Sequence, residues 1–369
     1  MYSEDLLYVV ALNTIFKYRP DLSKSIIENL GSARALFYLK KEELEEIFGR
    51  NRGFIDYVLD KSLLDKAEKE VEWCREKGIK ILCHTHSSYP VRLKDCCDAP
   101  VLLYSFGEAN FNYNKTIAIV GTRRATSYGM KNCRTIIEDL SASGCNPVIV
   151  SGLAFGIDIC AHKAALEFGL NTVAVLATPL DQIYPSQHHY HAAKISRQGS
   201  LITEFARGSE SYKLNFLQRN RIIAGMSAAT IVIESGEKGG SLITAQLAHS
   251  YSRELFALPG RVSDTFSKGC NKLILKNMAT IFTCTQDFLT TMGWITETKT
   301  TGSAQKKLFY TDDPEKEKIL VALRKNTELN MDELHRITGQ RIQDLPGMLL
   351  ELEMDGIVNS SPGNIYSLS

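Results

Sequence analysis

Four short stretches place cations, glycines and hydroxyls at spacings that suit an oxyanion. Phe216 to Gly225, FLQRNRIIAG, sets Arg219-Asn220-Arg221 ahead of the apolar run IIAGMSAATIVIES, where a helix is expected to begin. That end of a helix already carries positive partial charge, so two guanidinium groups there are unfavourable unless an anion joins them. Gly121-Thr122-Arg123-Arg124 follows the run TIAIV, and Ser151-Gly152-Leu153-Ala154-Phe155-Gly156 follows NPVIV. Gly236-Glu237-Lys238-Gly239-Gly240-Ser241 follows ATIVIES and leads to Leu242-Ile243-Thr244. Glycines let backbone amides approach an anion closely, and the hydroxyls of Ser151, Ser241 and Thr244 can donate to its oxygens. Phe155 adds a flat face on which a base can stack. Singly, each motif also fits a plainer role: a strand exit with solvated arginines, a tight turn, or a helix capped by Ser241.

Their joint placement argues for the ligand. From about residue 71 to 285, short β-branched apolar runs (IKILCHT, APVLLYS, TIAIVG, NPVIVSG, NTVAVLA, GSLITEF, ATIVIES, ELFALPG, ATIFTC) alternate with helical stretches. Continuous apolar strands between helices predict an α/β fold: a Rossmann-like, mainly parallel sheet covered on both faces. Ligands of such sheets bind outside the carboxyl ends of the strands, which is where three of the four motifs fall. There is no GxxxxGK[ST] phosphate loop, and GTRRAT stands where a dinucleotide-binding GxGxxG would follow TIAIV, so neither ATP hydrolysis nor hydride transfer has visible apparatus.

The flanks differ. Residues 1–70 read as short helices punctuated by Gly31, Gly49 and Gly53, a small module of the helix-hairpin-helix or sterile-alpha-motif type. Residues 71–294 make the core, and 295–311, ending in the polar GSAQKKLFYT, read as a linker. Residues 312–369 offer three helices and a hairpin turning at Pro362-Gly363-Asn364, a winged helix. The net charge of +1 hides a gradient: residues 115–225 hold 12 Lys and Arg against 7 Asp and Glu, whereas residues 312–369 hold 6 against 11. A polyanion is therefore expected at the middle of the chain. Lys316, Lys318, Arg324 and Lys325 nevertheless form a local basic edge in the last segment.

With 44% hydrophobic and 23% charged residues the composition is that of a globular protein. No run is long enough to span a bilayer, and MYSEDLL lacks the plan of a signal peptide, so a cytoplasmic protein without a membrane role is expected. The nine cysteines include no CxxC pair, and His188, His189 and His191 lack carboxylates at ligand spacing; no disulfide framework and no metal or other cofactor is expected.

The motifs in this order resemble the DNA-processing protein A family, DprA or Smf, of bacterial natural transformation. The matching stretches are IAIVGTRRATSYG, IVSGLAFGIDICAHKAALEFG, DQIYP, FLQRNRIIAGMSAATIVIES, GGSLITAQLAHSYSRELFALPG and KGCNKLILKN, covering about 117–285. The resemblance implies a homodimeric single-stranded DNA-binding protein, without a catalytic residue, that protects incoming DNA and helps load the RecA recombinase during recombination. It carries the DNA-binding role onto Arg123, Arg124, Ser151, Gly152, Phe155, Ser186, His188, Arg219, Asn220, Arg221, Gly239, Gly240, Ser241 and Thr244. Two departures stand out: Ala177-Thr178-Pro179-Leu180-Asp181 replaces the family's GxGxD segment, and Ser186 and His188 replace a Lys and an Asn after Tyr184-Pro185. One of the family's phosphate contacts is then either missing or supplied by a neighbour such as Lys194 or Arg197. For the dimer, Leu273, Ile274, Leu275 and Ile281 are the sequence candidates, and they equally suit burial within one subunit.

On this reading Arg219 and Arg221 contact DNA phosphates while Asn220 holds the turn or a base edge. The alternative is that Arg219 pairs with Glu204 or Glu234, leaving at least one of the two arginines structural. A rival function is a nucleotide phosphoribohydrolase-type enzyme, for which Glu237-Lys238-Gly239-Gly240-Ser241 shares part of a Gly-Gly-x-Gly-Thr loop and Glu204 or Glu234 would serve as acid. A second rival is duplex reading by the winged helix, against which the acidic balance of residues 312–369 argues.

Overall fold

A computed structural model describes residues 5–49, 51–210, 212–294, 313–326, 328–361 and 365–368. The expected linker and the Pro362-Gly363-Asn364 turn lie outside the described residues. The chain forms two compact units, Met1–Thr296 and Glu297–Ser369.

The first unit opens with α1 (Leu6–Ile15), α2 (Pro20–Leu30), α3 (Ala33–Leu36), α4 (Lys41–Phe48), α5 (Arg52–Leu59) and α6 (Ser62–Lys77). The boundary expected at residue 70 falls inside α6. These helices bury Leu12, Phe16, Leu36, Leu44 and Cys74 in one cluster with Leu102 and Tyr104 of the sheet, so they pack on the sheet as part of the same unit.

All nine expected strands form: β1 (Lys80–Cys83), β2 (Leu102–Gly107), β3 (Thr116–Val120), β4 (Val148–Ser151), β5 (Thr172–Val175), β6 (Ser200–Thr203), β7 (Ala229–Val232), β8 (Glu254–Ala257) and β9 (Thr280–Ile281). They make one sheet in the order β1-β2-β6-β5-β4-β3-β7-β8-β9. Pairing is parallel from β6 to β9 through the centre and antiparallel only at β1/β2 and β2/β6. Between the strands lie α7 (Val91–Lys94), α8 (Ser127–Ala142), α9 (Ile157–Glu167), α10 (His189–Gln198), α11 (Lys213–Met226), α12 (Gly240–Ser250) and α13 (Lys268–Leu275), and α14 (Thr285–Thr291) follows β9.

Strand side chains alternate between the two faces, as the pleat requires. On β3, Ile117 and Ile119 enter one core with Ile136 of α8, Ala161 of α9 and Phe288 of α14. Ala118 and Val120 enter the other, with Ile222 of α11, Ala245 of α12 and Leu273 of α13. From β3 the chain winds one way through β4, β5 and β6 and then returns to β7 on the other side. The crevice above the adjacent ends of β3 and β7 is thus the switch point of the sheet, where open α/β sheets bind ligands.

The second unit contains α15 (Pro314–Lys325), β10 (Leu329–Asn330), α16 (Met331–Thr338), α17 (Leu345–Met354), β11 (Val358–Ser361) and β12 (Ile365–Leu368). The three strands pair antiparallel in the order β10-β12-β11, which completes a winged helix. Its core is Ile319, Leu320, Leu334, Leu345, Leu349 and Val358.

Candidate functional site

At the switch point lies a groove of about 640 Å³. Its walls come from Gly121 and Thr122 after β3, Ala154 and Asp158 around the start of α9, the Gly236–Ser241 loop after β7, and one face of α11. The α11 face is read by spacing: Lys213, Phe216, Leu217, Asn220 and Ile223 all line the groove, at the i, i+3, i+4, i+7 rhythm of a single helix face.

That helix begins at Lys213, so Arg219 and Arg221 sit in its middle rather than at its start. Positions i and i+2 lie roughly 200° apart around a helix, so the two arginines cannot share one groove. Arg219 lines the groove floor at 3% exposure, its Nη1 donating to the carbonyls of Gly152 and, at 2.7 Å, of Val175. It ties α11 to the ends of β4 and β5. Arg221, also 3% exposed, turns away from the groove: it forms an ion pair with buried Glu204 and donates to the Asp98 carbonyl. The expected pairing with Glu204 is therefore made, by Arg221 instead of Arg219. Glu234 is taken up by Thr126, whose backbone N and Oγ1 donate to it at 2.9 and 2.5 Å.

Gly152 is required by Arg219, because a Cβ there would lie 1.9 Å from Nη1 and 2.3 Å from Cζ. Burial pulls the Arg219 guanidinium down to about 10, with Asp158 opposing, so it stays charged at neutral pH. Asp158 itself is buried; desolvation raises its carboxyl against the pull of Arg219 and of backbone amides at Ala154 and Gly152. His162 lies behind this pair with Nδ1 2.7 Å from Thr172 Oγ1, and burial together with the Arg219 charge pushes it down to about 3, leaving it neutral.

The remaining expected residues divide. Arg123, Asn220, Gly239, Gly240, Ser241 and Thr244 join Arg219 around the groove. Asn220 Nδ2 donates to the Gly240 carbonyl at 3.4 Å, fixing the start of α12. Ser241 does not cap that helix, whose N-cap is Gly239; its Oγ donates to Ser235 Oγ at 2.9 Å. No side chain caps α12; Leu242 N donates to the Gly239 carbonyl at 3.2 Å, and the preceding amides of Gly240 and Ser241 stand at a helix start that favours an anion. Ser151 lies outside the groove lining, its buried hydroxyl donating to the Ile119 carbonyl at 2.6 Å. Gly152 lies beneath Arg219, and Arg124 stacks outside over Phe266 at 5.9 Å. Phe155, 42% exposed, stands on the rim with its ring edge-on to buried His188 at 4.9 Å, and the His188 ring is held by the Leu153 carbonyl. Ser186 is exposed beside them.

Lys213, Phe216, Tyr184, Phe266 and Asp158 are among the groove residues outside the sequence expectation for the site. Arg123 lies over the Phe216 ring at 5.2 Å, and Tyr184 meets that ring edge-on at 5.4 Å. Arg123, Lys213 and Lys238 are exposed, and among the described residues none of the three is in an ion pair with a carboxylate. The groove thus combines free cations, aromatic faces and helix-start amides over a buried guanidinium.

The model of DNA recombination-mediator protein A matches residues 80–293, and that of the DprA winged helix domain matches 305–364. The chain belongs to the DNA recombination-mediator protein A (DprA) family. Protein Smf of Synechocystis sp. is 30% identical over 99% of this chain and 99% of its own length. The X-ray structure of DprA from Streptococcus pneumoniae superposes with a TM-score of 0.66 at 32% identity, covering 77% of this chain and 97% of that one. A DprA structure from Helicobacter pylori, described for its single-stranded DNA binding mode, matches with a TM-score of 0.52 at 32% identity over 58% of this chain and 95% of its own.

Of the dimer candidates, Leu273 is 5% exposed and belongs to the monomer core, and Ile274 packs half-buried against the same core. Leu275 is 82% exposed and Ile281 is exposed. Among the described residues no helix is long and apolar enough to cross a membrane.

Proposed function

We propose that the switch-point groove binds the backbone of single-stranded DNA, and that the protein protects incoming DNA and assists loading of the RecA recombinase in transformation and recombination. The observation that carries this is the co-location of Arg123, Lys213 and Lys238, unpaired with carboxylates, with the exposed or half-exposed rings of Tyr184, Phe216 and Phe266. Cations that track phosphates beside platforms that stack bases are what sequence-tolerant single-strand binding needs. The H. pylori relative, described as a single-stranded DNA binder, supports the same reading. In the winged helix, Lys316, Lys318 and Arg324 are paired with Glu351, Glu315 and Glu317, so its basic edge is largely neutralised; we assign it a protein partner. The exposed Leu275 and Ile281 are the residues we assign to a homodimer contact, to be checked by light scattering.

Fluorescence anisotropy with labelled single-stranded and duplex oligonucleotides over a salt series tests the reading. Tighter binding of the single strand, weakening as salt rises, is expected; equal affinity for duplex overturns it.

A nucleotide hydrolase is the second reading, favoured by one observation: Asp158, a buried carboxylate with a raised affinity for its proton, faces the groove. Glu204 and Glu234 are both engaged within the fold. We assign Asp158 to holding Arg219 and infer no catalysis. Release of free base from nucleoside monophosphates above the uncatalysed rate would overturn that assignment.

A further inference from the structure

We propose that the face made by α9 and α10 is a second phosphate track, carrying the part of a DNA single strand that leaves the switch-point groove. The proposal rests on the single-strand reading of the groove and extends it to a surface outside the groove lining.

A concavity of about 680 Å³ between the two helices is lined by Lys163 of α9 and by His191, Lys194 and Arg197 of α10. Lys163, Lys194 and Arg197 are exposed, and among the described residues none is in an ion pair with a carboxylate. The acid in the concavity, Glu167, is already held by Arg134 at 2.6 Å. The positive charge here is therefore not balanced within the fold. Its effect on a neighbour is visible: burial and the charges of Lys163, His188 and Lys194 together hold the His191 imidazole below its ordinary value.

The concavity and the groove share no lining residue, and a short path of contacts links them. Ala154 and Tyr184 line the groove; the next residue, Phe155, meets His188 edge-on, and His188 leads directly into α10. There Tyr190, 63% exposed, meets the His191 ring at 5.4 Å and carries Lys194 Nζ over its own face at 4.7 Å. Aromatic faces and cations thus alternate outward from the groove. At about 1.5 Å per residue, His189 to Arg197 spans roughly 12 Å, the length of about three stacked nucleotides. A basic surface beside the exposed Tyr190 ring, reached from the groove by way of Phe155 and His188, fits an extension of the same polyanion.

The test uses the full chain with oligo-dT of about five nucleotides, enough for the groove, and of about twenty, enough for both surfaces. The triple variant Lys163→Gln, Lys194→Gln, Arg197→Gln should bind the short probe within about twofold of the parent. It should bind the long one at least about tenfold more weakly, with a plot of log affinity against log salt flatter by roughly 2, about 0.7 for each phosphate no longer neutralised. Should the triple variant melt early, the three single variants carry the same test at about 0.7 each. Equal losses on both probes, or none on either, overturn the track while leaving the groove reading standing. Failure of the parent to bind either probe instead removes the groove reading and the track with it.

Discussion

Replacing Arg221 with Ala separates the two roles that the FLQRNRIIAG segment can play. Arg221 and Glu204 are both almost wholly buried, and Glu204 Oε2 has the Arg221 guanidinium as its ionic partner while Oε1 has no hydrogen bond. Removing one member of such a pair leaves a buried carboxylate uncompensated and costs about 3–5 kcal/mol. At about 2 °C per kcal/mol, the low end for domains of this size, the melting temperature should fall by on the order of 6–10 °C. The sign of the pH dependence follows from Glu204. Burial raises its carboxyl above the ordinary 4.5 while Arg221 opposes, so loss of Arg221 raises it further. Between the unfolded value and that raised folded value the folded chain holds a proton that the unfolded chain lacks, and stability falls as pH rises through the window. The deficit of Arg221→Ala is therefore smaller at about pH 5 than at about pH 7.5, and the double variant Arg221→Met, Glu204→Gln should recover part of it.

Binding must respond in the opposite way. Arg123 is exposed over the groove and lacks a carboxylate partner among the described residues, so Arg123→Ala should flatten the salt plot by roughly 0.7 while melting like the parent. Arg221→Ala, assayed well below its melting range, should keep the parental slope. An Arg221→Ala protein that melts within about 2 °C of the parent yet loses roughly 0.7 of slope would refute the assignment, because the guanidinium would then be reaching phosphate.

Phe155→Ala, which removes an exposed rim ring, should weaken single-strand affinity by about 1–3 kcal/mol with little change in slope; a slope change would mean that a charge had moved. Gly152→Ala drives a Cβ into the Arg219 guanidinium and should destabilise by about 1–3 kcal/mol in thermal melts; a neutral result would show that Arg219 is not fixed against the Gly152 carbonyl. Truncation at about Ile295, which removes the winged helix, should leave single-strand affinity within about tenfold, or roughly 1.4 kcal/mol, by anisotropy; a larger loss would place part of the site in the second unit.

The sheet is legible in the sequence because a strand covered on both faces must be apolar on both sides, and runs such as TIAIV and ATIVI leave little alternative. The groove follows from the same runs, since their carboxyl ends define where a ligand can sit. The side chains are harder. Ser151 reads as a donor until the register of β3 and β4 sets its hydroxyl against the Ile119 carbonyl, a long-range pairing with no local signal. The start of α11 at Lys213 is hard to read because its N-cap, Tyr212, is not a capping residue type and makes no side-chain bond to the first turn, yet the spacing of Lys213, Phe216, Leu217 and Asn220 is present and names the groove face. The electrostatic conflict expected at Arg219 in fact falls on Lys213, the first residue of that helix.

This division explains why the groove holds two kinds of positive charge. Arg219 is stripped of water and fixed by the carbonyls of Gly152 and Val175, so its charge is already in place before a ligand arrives and needs no reordering. Its field reaches the groove in a low-dielectric setting, but its Nη1 donors are committed and it releases few counterions on binding. Arg123, Lys213 and Lys238 are solvated, carry a counterion atmosphere, and lose it when phosphates replace it. The salt dependence of binding should therefore follow the rim cations, while the salt-independent part follows the floor and the rings. Arg219→Lys keeps the charge but loses the planar guanidinium whose Nη1 donates to the carbonyls at both strand ends, so it should lower stability more than it changes the slope.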